Sequence, residues 1–179
     1  AILHAGRNET AGYFYYVMEL ADPAGNPETS ARALDPSTYQ PHTLRTDLKS
    51  GRLSARRVLE IGQGLTEALA HLHGRQLIHR DIKPSNIIFV GGRPKLADIG
   101  LVTEASDELS IVGTEGYLAT EGPGTPAADI FALGKVLYES LTGLDRRRFP
   151  ELPGDLRAWP DAKLAWELNA VVVKACASD

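Results

Sequence analysis

Residues 79–86 read His79-Arg80-Asp81-Ile82-Lys83-Pro84-Ser85-Asn86, a turn dense in acid, base and amide. It is followed by two short apolar runs, 87–90 and 94–97, on either side of Gly91-Gly92-Arg93, and then by Asp98. Apolar runs around a glycine pair read as a β-hairpin. Folded symmetrically about Gly92, the ladder sets Val90 opposite Pro94, Ile88 opposite Leu96 and Asn86 opposite Asp98. Antiparallel partners stand roughly 4.5–5.5 Å apart at Cα, so an amide oxygen and a carboxylate would converge at the open end. Asp81, on the same loop as Asn86, adds a third oxygen-bearing side chain. Hard cations such as Mg2+ take oxygen ligands of this kind, completed by water and phosphate oxygens. The competing reading has Asp81 capping a turn and Asn86 satisfying backbone groups.

The elements that must position these groups are legible on both sides. Val58, Ile61, Leu65, Leu69 and Leu72 recur at helical spacing between Ser54, a plausible N-cap, and His73. Gly62 and Gly64 weaken that helix without overturning it. Residues 128–142 are apolar on nearly every side and stop at Gly143, as in a buried helix. A last helix is expected over 163–176, although Val171-Val172-Val173 fits a strand equally well. Residues 13–20 (YFYYVMEL) read as a buried strand. The Pro- and Gly-rich stretch that follows, to about Tyr39, reads as a connector or surface insertion, longer than a simple link needs. Residues 98–126 form a long irregular segment, of the kind usually reserved for function.

The chain of 179 residues carries 19 Lys+Arg against 23 Asp+Glu, a net charge of -4, which argues against a nucleic-acid binder working through bulk charge. Its densest basic cluster, Arg146-Arg147-Arg148, reads as a solvated loop. The single cysteine, Cys176, cannot form an intramolecular disulfide and reads as a small buried hydrophobe, consistent with a reducing, cytoplasmic setting. No apolar run approaches the ~20 residues that span a bilayer. His71 and His73, two apart on a helix, point away from each other and read as surface or packing residues, not as a metal site.

The order H-R-D, four residues, then Asn, followed by Asp98 in Ala97-Asp98-Ile99-Gly100, resembles the catalytic loop and metal-binding Asp of the protein kinases. The middle residue of the latter element is Ile instead of Phe. Gly113-Thr114-Glu115-Gly116-Tyr117 resembles the family's substrate platform. Ala119-Thr120-Glu121 stands where A-P-E is expected, and the run from Asp129 to Gly143 resembles the central helix. Residues 13–21 resemble the last small-lobe strand and the hinge. The resemblance implies an α+β fold, with residues 1–21 as the end of the small lobe and hinge. Residues 22–179 would be a mainly helical large lobe carrying a small β-hairpin.

It also implies transfer of the γ-phosphate of Mg-ATP to a protein hydroxyl. Asp81 would accept the hydroxyl proton, Lys83 would contact the transferred phosphate, and Asn86 and Asp98 would hold Mg2+. Met18 would be the gatekeeper beside ATP, and the backbone of Glu19 and Ala21 would bond adenine. Lys83 points to a Ser/Thr acceptor. Asp129 would hold the catalytic loop through backbone N–H groups, and Thr114 would contact Asp81 and Lys83. His79 would pack against the base of the Asp98 loop. Arg80 would receive a phosphate on the segment that carries Thr103, Ser106 and Ser110, unless Glu104, Asp107 or Glu108 substitutes for it. No Gly-rich loop, strand lysine or helix-C glutamate precedes the hinge, the chain opens on Ala1, and Glu121 lacks its arginine. A partial domain, weak in ATP binding and transfer on its own, is therefore expected. A non-catalytic pseudokinase scaffold and a kinase-like small-molecule phosphotransferase remain as alternatives.

Overall fold

The computed structural model describes residues 2–25, 35–98, 103–104, 114–117 and 124–177. Strands β1 (Ile2–Asn8) and β2 (Tyr13–Met18) form an antiparallel pair. β1 was not expected from the sequence. Gly6 lies against the Tyr15 ring, whose Cζ would stand 2.6 Å from a Cβ there. β2 is also less enclosed than its composition implies, with Tyr13, Tyr15, Tyr16 and Val17 exposed.

After β2 the chain makes a closed excursion. Asp22 and Pro23 meet the returning strand at Pro41 and His42: Pro23 bridges Pro41, Ala24 N–H donates to Gln40 C=O at 2.8 Å, and His42 N–H donates to Asp22 C=O at 2.7 Å. The surplus length between β2 and the next helix leaves and returns through this neck. The short helix α1 (Leu44–Leu48) follows, opened by a capping box between Thr43 and Thr46.

Helix α2 (Ala55–His73) starts at the expected N-cap, Ser54. Its apolar stripe, Val58, Ile61, Leu65 and Leu69, is buried against β4 (Ile87–Val90) and helix α3 (Pro126–Thr142). Gly62 and Gly64 sit at its closest approaches: a Cβ would stand 3.4 Å from Leu137 and 3.0 Å from Pro94. A two-residue strand, β3 (Leu77–Ile78), pairs with β6 (Thr103–Glu104) and leads into the polar loop.

The expected hairpin forms from β4 and β5 (Arg93–Leu96), but its register differs by one residue from symmetry about Gly92. Val90 pairs with Arg93, Phe89 with Pro94, Ile88 with Lys95 and Ile87 with Leu96. Both Gly91 (φ +57°) and Gly92 (φ +73°) occupy the turn, which is therefore the two-residue kind that matches strand twist. Asp22 fixes it, its carboxylate accepting both glycine N–H groups at 2.9 and 2.8 Å.

Helix α3 (Pro126–Thr142) has Thr125 as N-cap, Pro126 in its first turn, and Gly143 at φ +71° as its stop. It is the buried central helix, contributing Leu133 and Val136 to the main core and Leu141 to a second cluster with Ala55, Val58 and Ala165. The ambiguous valines are helical, in α4 (Ala162–Ala175). α4 packs so closely on α3 that a Cβ on Gly134 would reach Sγ of Cys176 at 2.6 Å. Cys176 is buried, as expected, and burial pushes its thiol up to about 11 against the pull of Lys135.

Among the described residues no helix is long and apolar enough to cross a membrane. Ile99, Gly100, Ser106, Asp107, Glu108, Ser110, Gly113 and residues 119–121, all singled out in the sequence, lie outside the described residues.

Candidate active site

The polar loop between β3 and β4 is held from below by α3. Asp129, in the first turn of α3 and 2% exposed, accepts the backbone N–H of His79 on Oδ2 and that of Arg80 on Oδ1, both at 2.9 Å. His73, from the end of α2, donates Nε2–H to the same Oδ2 at 2.9 Å; a carboxylate can only accept, which fixes the tautomer. His73 is thus a packing residue with a partner, and among the described residues no group of three His, Cys, Asp or Glu side chains could hold a metal. The loop needs this support because Arg80 sits at φ +70°, a region costly for a residue with a Cβ. His79 is fully buried, and burial holds its imidazole below the ordinary value despite the opposing charges of Asp129, Asp81 and Asp98.

On this platform Asp81, 7% exposed, is the hub. Its Oδ2 accepts from Lys83 Nζ at 2.6 Å and from Asn86 Nδ2 at 2.9 Å, and its Oδ1 accepts from the Thr114 hydroxyl at 2.9 Å. Thr114 in turn accepts from Lys83 at 3.1 Å, closing a ring of Asp81, Lys83 and Thr114. Burial alone would raise the Asp81 pKa, but the bonds from Lys83, Thr114 and Asn86 overcome it and hold the carboxyl below its ordinary value.

Asn86 spends its amide N–H groups on Asp81, on the carbonyl as well as the side chain, both at 2.9 Å. Among the described residues its Oδ1 accepts only from Ser85, at 3.3 Å, and keeps capacity for another partner. Asn86 does not face Asp98 across the ladder. Its C=O accepts the N–H of Ala97 at 2.8 Å, and Asp98, one residue further, turns the chain at φ +58° and is exposed. The donor set suits a hard cation: one amide oxygen whose nitrogen is already committed, and one exposed carboxylate at the end of the same hairpin.

A largely apolar cavity of about 530 Å3 shares the hairpin as its wall. Met18, Glu19, Ile88, Leu96, Ala97 and Asp98 are among its lining residues; Ala21, Asp81, Lys83 and Asn86 are not. Its size lies within the small-molecule range. Glu19 forms an ion pair with Lys95, which holds the Glu19 carboxyl down at about 2. Ala21 is buried and its carbonyl accepts the Tyr39 hydroxyl at 2.9 Å.

One group escaped the sequence reading. Arg146 is not a solvated loop residue: its guanidinium lies 4.5 Å over the Tyr117 ring, Nε donates to Glu115 C=O at 3.1 Å, and Nη1 is 3.5 Å from Glu139. The Tyr117 hydroxyl also bonds Glu139. The lone glutamate in the apolar run 129–143 and the glycine at 116 were the available signals in the sequence; in the fold Gly116 takes φ +86°, and its absent Cβ makes room for Arg146. Arg147 and Arg148 are exposed, as a solvated loop requires.

A mainly helical body with an acidic loop, an asparagine and an aspartate gathered around one hairpin is the arrangement of a phosphotransferase of the kinase type. Residues 13–151 match the family model described as protein kinase domain, and the chain belongs to this family. It is 31% identical over 175 residues to the probable serine/threonine-protein kinase PkwA of Thermomonospora curvata, covering 83% of this chain and 23% of that protein. It is 39% identical over 104 residues to the serine/threonine-protein kinase PrkC of Bacillus subtilis (52% and 16%). With the serine/threonine-protein kinase AfsK of Streptomyces coelicolor it shares 32% over 143 residues (74% and 18%). The chain therefore spans less than a quarter of the length of these relatives.

Proposed function

We propose that these residues carry the catalytic half of a serine/threonine protein kinase, with 1–21 as hinge and small-lobe edge and 22–179 as large lobe. The reaction would move the γ-phosphate of ATP to a Ser or Thr hydroxyl of a protein. The observation that carries this reading is the ring of Asp81, Lys83 and Thr114. It holds an ionised carboxylate with room for one more donor, a substrate hydroxyl, beside a cation suited to phosphate oxygens. A carboxylate with a lowered pKa is a weak base, and phosphoryl transfer asks little more, since positioning and charge neutralisation dominate its barrier.

Lys83 has two jobs in this scheme: it orients Asp81 and offsets charge on the transferred group. Asn86 Oδ1 and Asp98 are the residues that would hold Mg2+, which when bound neutralises phosphate oxygens. The cavity beside Met18 and Glu19 offers an apolar slot for adenine. Among the described residues nothing accepts the N–H of Ala21, which leaves it open to the base. The Lys83–Thr114 contact favours a protein acceptor over a small molecule, because it ties the loop to the 114–117 platform. Arg80 supports phosphate control of the neighbouring segment: it is 9% exposed, and its Nε and Nη2 have no partner among the described residues.

The test is transfer of labelled γ-phosphate to serine and threonine peptides by the full-length protein that contains these residues. Asp81→Asn should lower kcat by about 100-fold or more, the usual scale for a positioned acid–base group, with KM for ATP nearly unchanged. Equal rates for the two proteins would refute the assignment.

A further inference from the structure

A smaller cavity, of about 230 Å3, opens next to the site and is lined by Arg45, Leu48, Lys49, Pro84 and Glu139. Its position follows from the two segments that build the site. Pro84 directly succeeds Lys83, and Glu139 bonds Tyr117, three residues beyond Thr114. A peptide whose hydroxyl lies at Asp81 must run past one side or the other of this platform.

The charges in the cavity do not cancel. Among its described lining residues Glu139 is the one acid, and that carboxylate is already committed to the Tyr117 hydroxyl, the Arg146 N–H at 3.3 Å and the Arg146 guanidinium. Arg45 and Lys49, on and just after α1, are exposed and form no ion pair among the described residues. The neighbouring acid, Asp47, is taken by His42 at 2.6 Å. Among the described residues, two uncommitted cations therefore face a cavity whose one lining carboxylate, Glu139, is neutralised, with Leu48 and Pro84 as apolar wall. We infer that this cavity is a specificity subsite for an acidic side chain of the substrate protein, a carboxylate or a phosphate, flanking the acceptor residue. Charge-assisted hydrogen bonds from Arg45 and Lys49 would hold it.

The inference rests on the kinase reading, and the experiment separates the two. Fluorescein-labelled serine peptides carrying one Asp, one phosphoserine, one Arg or one Ala, scanned along both flanks of the acceptor, are titrated with the full-length protein. Fluorescence anisotropy reads binding at low salt. At one or two positions Asp or phosphoserine should bind about fivefold more tightly than Ala, the scale of exposed charge pairs, and added salt should erase the gain. A gain with phosphoserine alone assigns the ligand to phosphate, and a gain with Asp as well to carboxylates generally. The Arg45→Glu/Lys49→Glu variant, altered only at exposed positions, should lose the acidic preference and favour Arg. No position preferring an acid, or a preference that survives in the double variant, overturns the subsite. Phosphate transfer without acidic preference would remove the subsite alone, whereas acidic preference without transfer would remove the kinase reading and keep the subsite.

Discussion

Replacing Asp129 by Ala removes the acceptor of three hydrogen bonds at once: His79 N–H, Arg80 N–H and His73 Nε2–H, each at 2.9 Å. The two amides belong to buried residues and would be left without partners. An orphaned buried donor costs about 1–3 kcal/mol, so the pair amounts to about 4 kcal/mol. His73 is only partly buried, can turn to water, and adds little. Arg80 loses the contact that holds it at φ +70°, so the loop should relax as well as weaken. For a domain of this size about 4 kcal/mol lowers Tm by on the order of 10 °C. Urea unfolding gives the total loss, and amide hydrogen exchange at His79 and Arg80 tells where it falls. Asp129→Asn, which keeps one carbonyl oxygen but turns an NH2 towards a donor, should cost roughly half as much. A loss below about 1 kcal/mol in the Ala variant, with both amides still protected, would refute the claim that Asp129 holds the loop.

Removal of the Lys83 ammonium (Lys83→Met) should raise the Asp81 pKa, which NMR titration of the carboxyl carbon reads directly. Because the folded value is depressed, the stability contributed by this group is present above the ordinary carboxylate value and lost as pH falls through the folded one. The variant should therefore lose less stability than the parent on acidification, and an unchanged Asp81 titration would count against the Lys83 bond. Cys176, buried and with its pKa up at about 11, should react with a thiol reagent at pH 7.5 far more slowly folded than in denaturant, and equal rates would place it at the surface. Gly134→Ala should destabilise by about 1–3 kcal/mol through overpacking. Part of that loss should return in Gly134→Ala/Cys176→Ala, since Sγ is the nearest obstacle at 2.6 Å. Strict additivity of the two changes would show that they do not touch.

Local features of this chain were legible in its sequence, while features supplied by distant segments were not. Ser54 and Gly143 mark helix ends through interactions within a few residues; α2 lies where its periodicity puts it, and α3, read from the apolar run 128–142, starts slightly earlier, at Pro126, behind a Thr125 cap that was not read from the sequence. The hairpin was visible in Gly91-Gly92, but its register depends on whether one glycine or both form the turn, a choice fixed by Asp22 from 69 residues away. β1, with His4, Gly6, Arg7 and Asn8, lacks strand composition and exists by pairing with β2. The loop 79–86 announced its chemistry because its members are neighbours in the chain. That Asp81 and Asn86 bond each other, while Asp98 stands one register step away from Asn86, required the fold. Arg146 was misread because a charge run says nothing of Tyr117 and Glu139, which give it partners and cover.

The junction of Asp22, Pro23, Pro41 and His42 has an engineering consequence. With Asp22 N–H donating to Phe89 C=O at 2.7 Å and Phe89 N–H to His42 C=O at 3.1 Å, both stems are sewn to β4. The excursion that leaves at Asp22 and returns at His42 hence begins and ends at fixed posts. Doubling such a loop costs only about 0.6 kcal/mol in closure entropy. A reporter or affinity handle spliced there should be carried like a charm on a clasped bracelet, leaving the clasp and the hairpin behind it undisturbed.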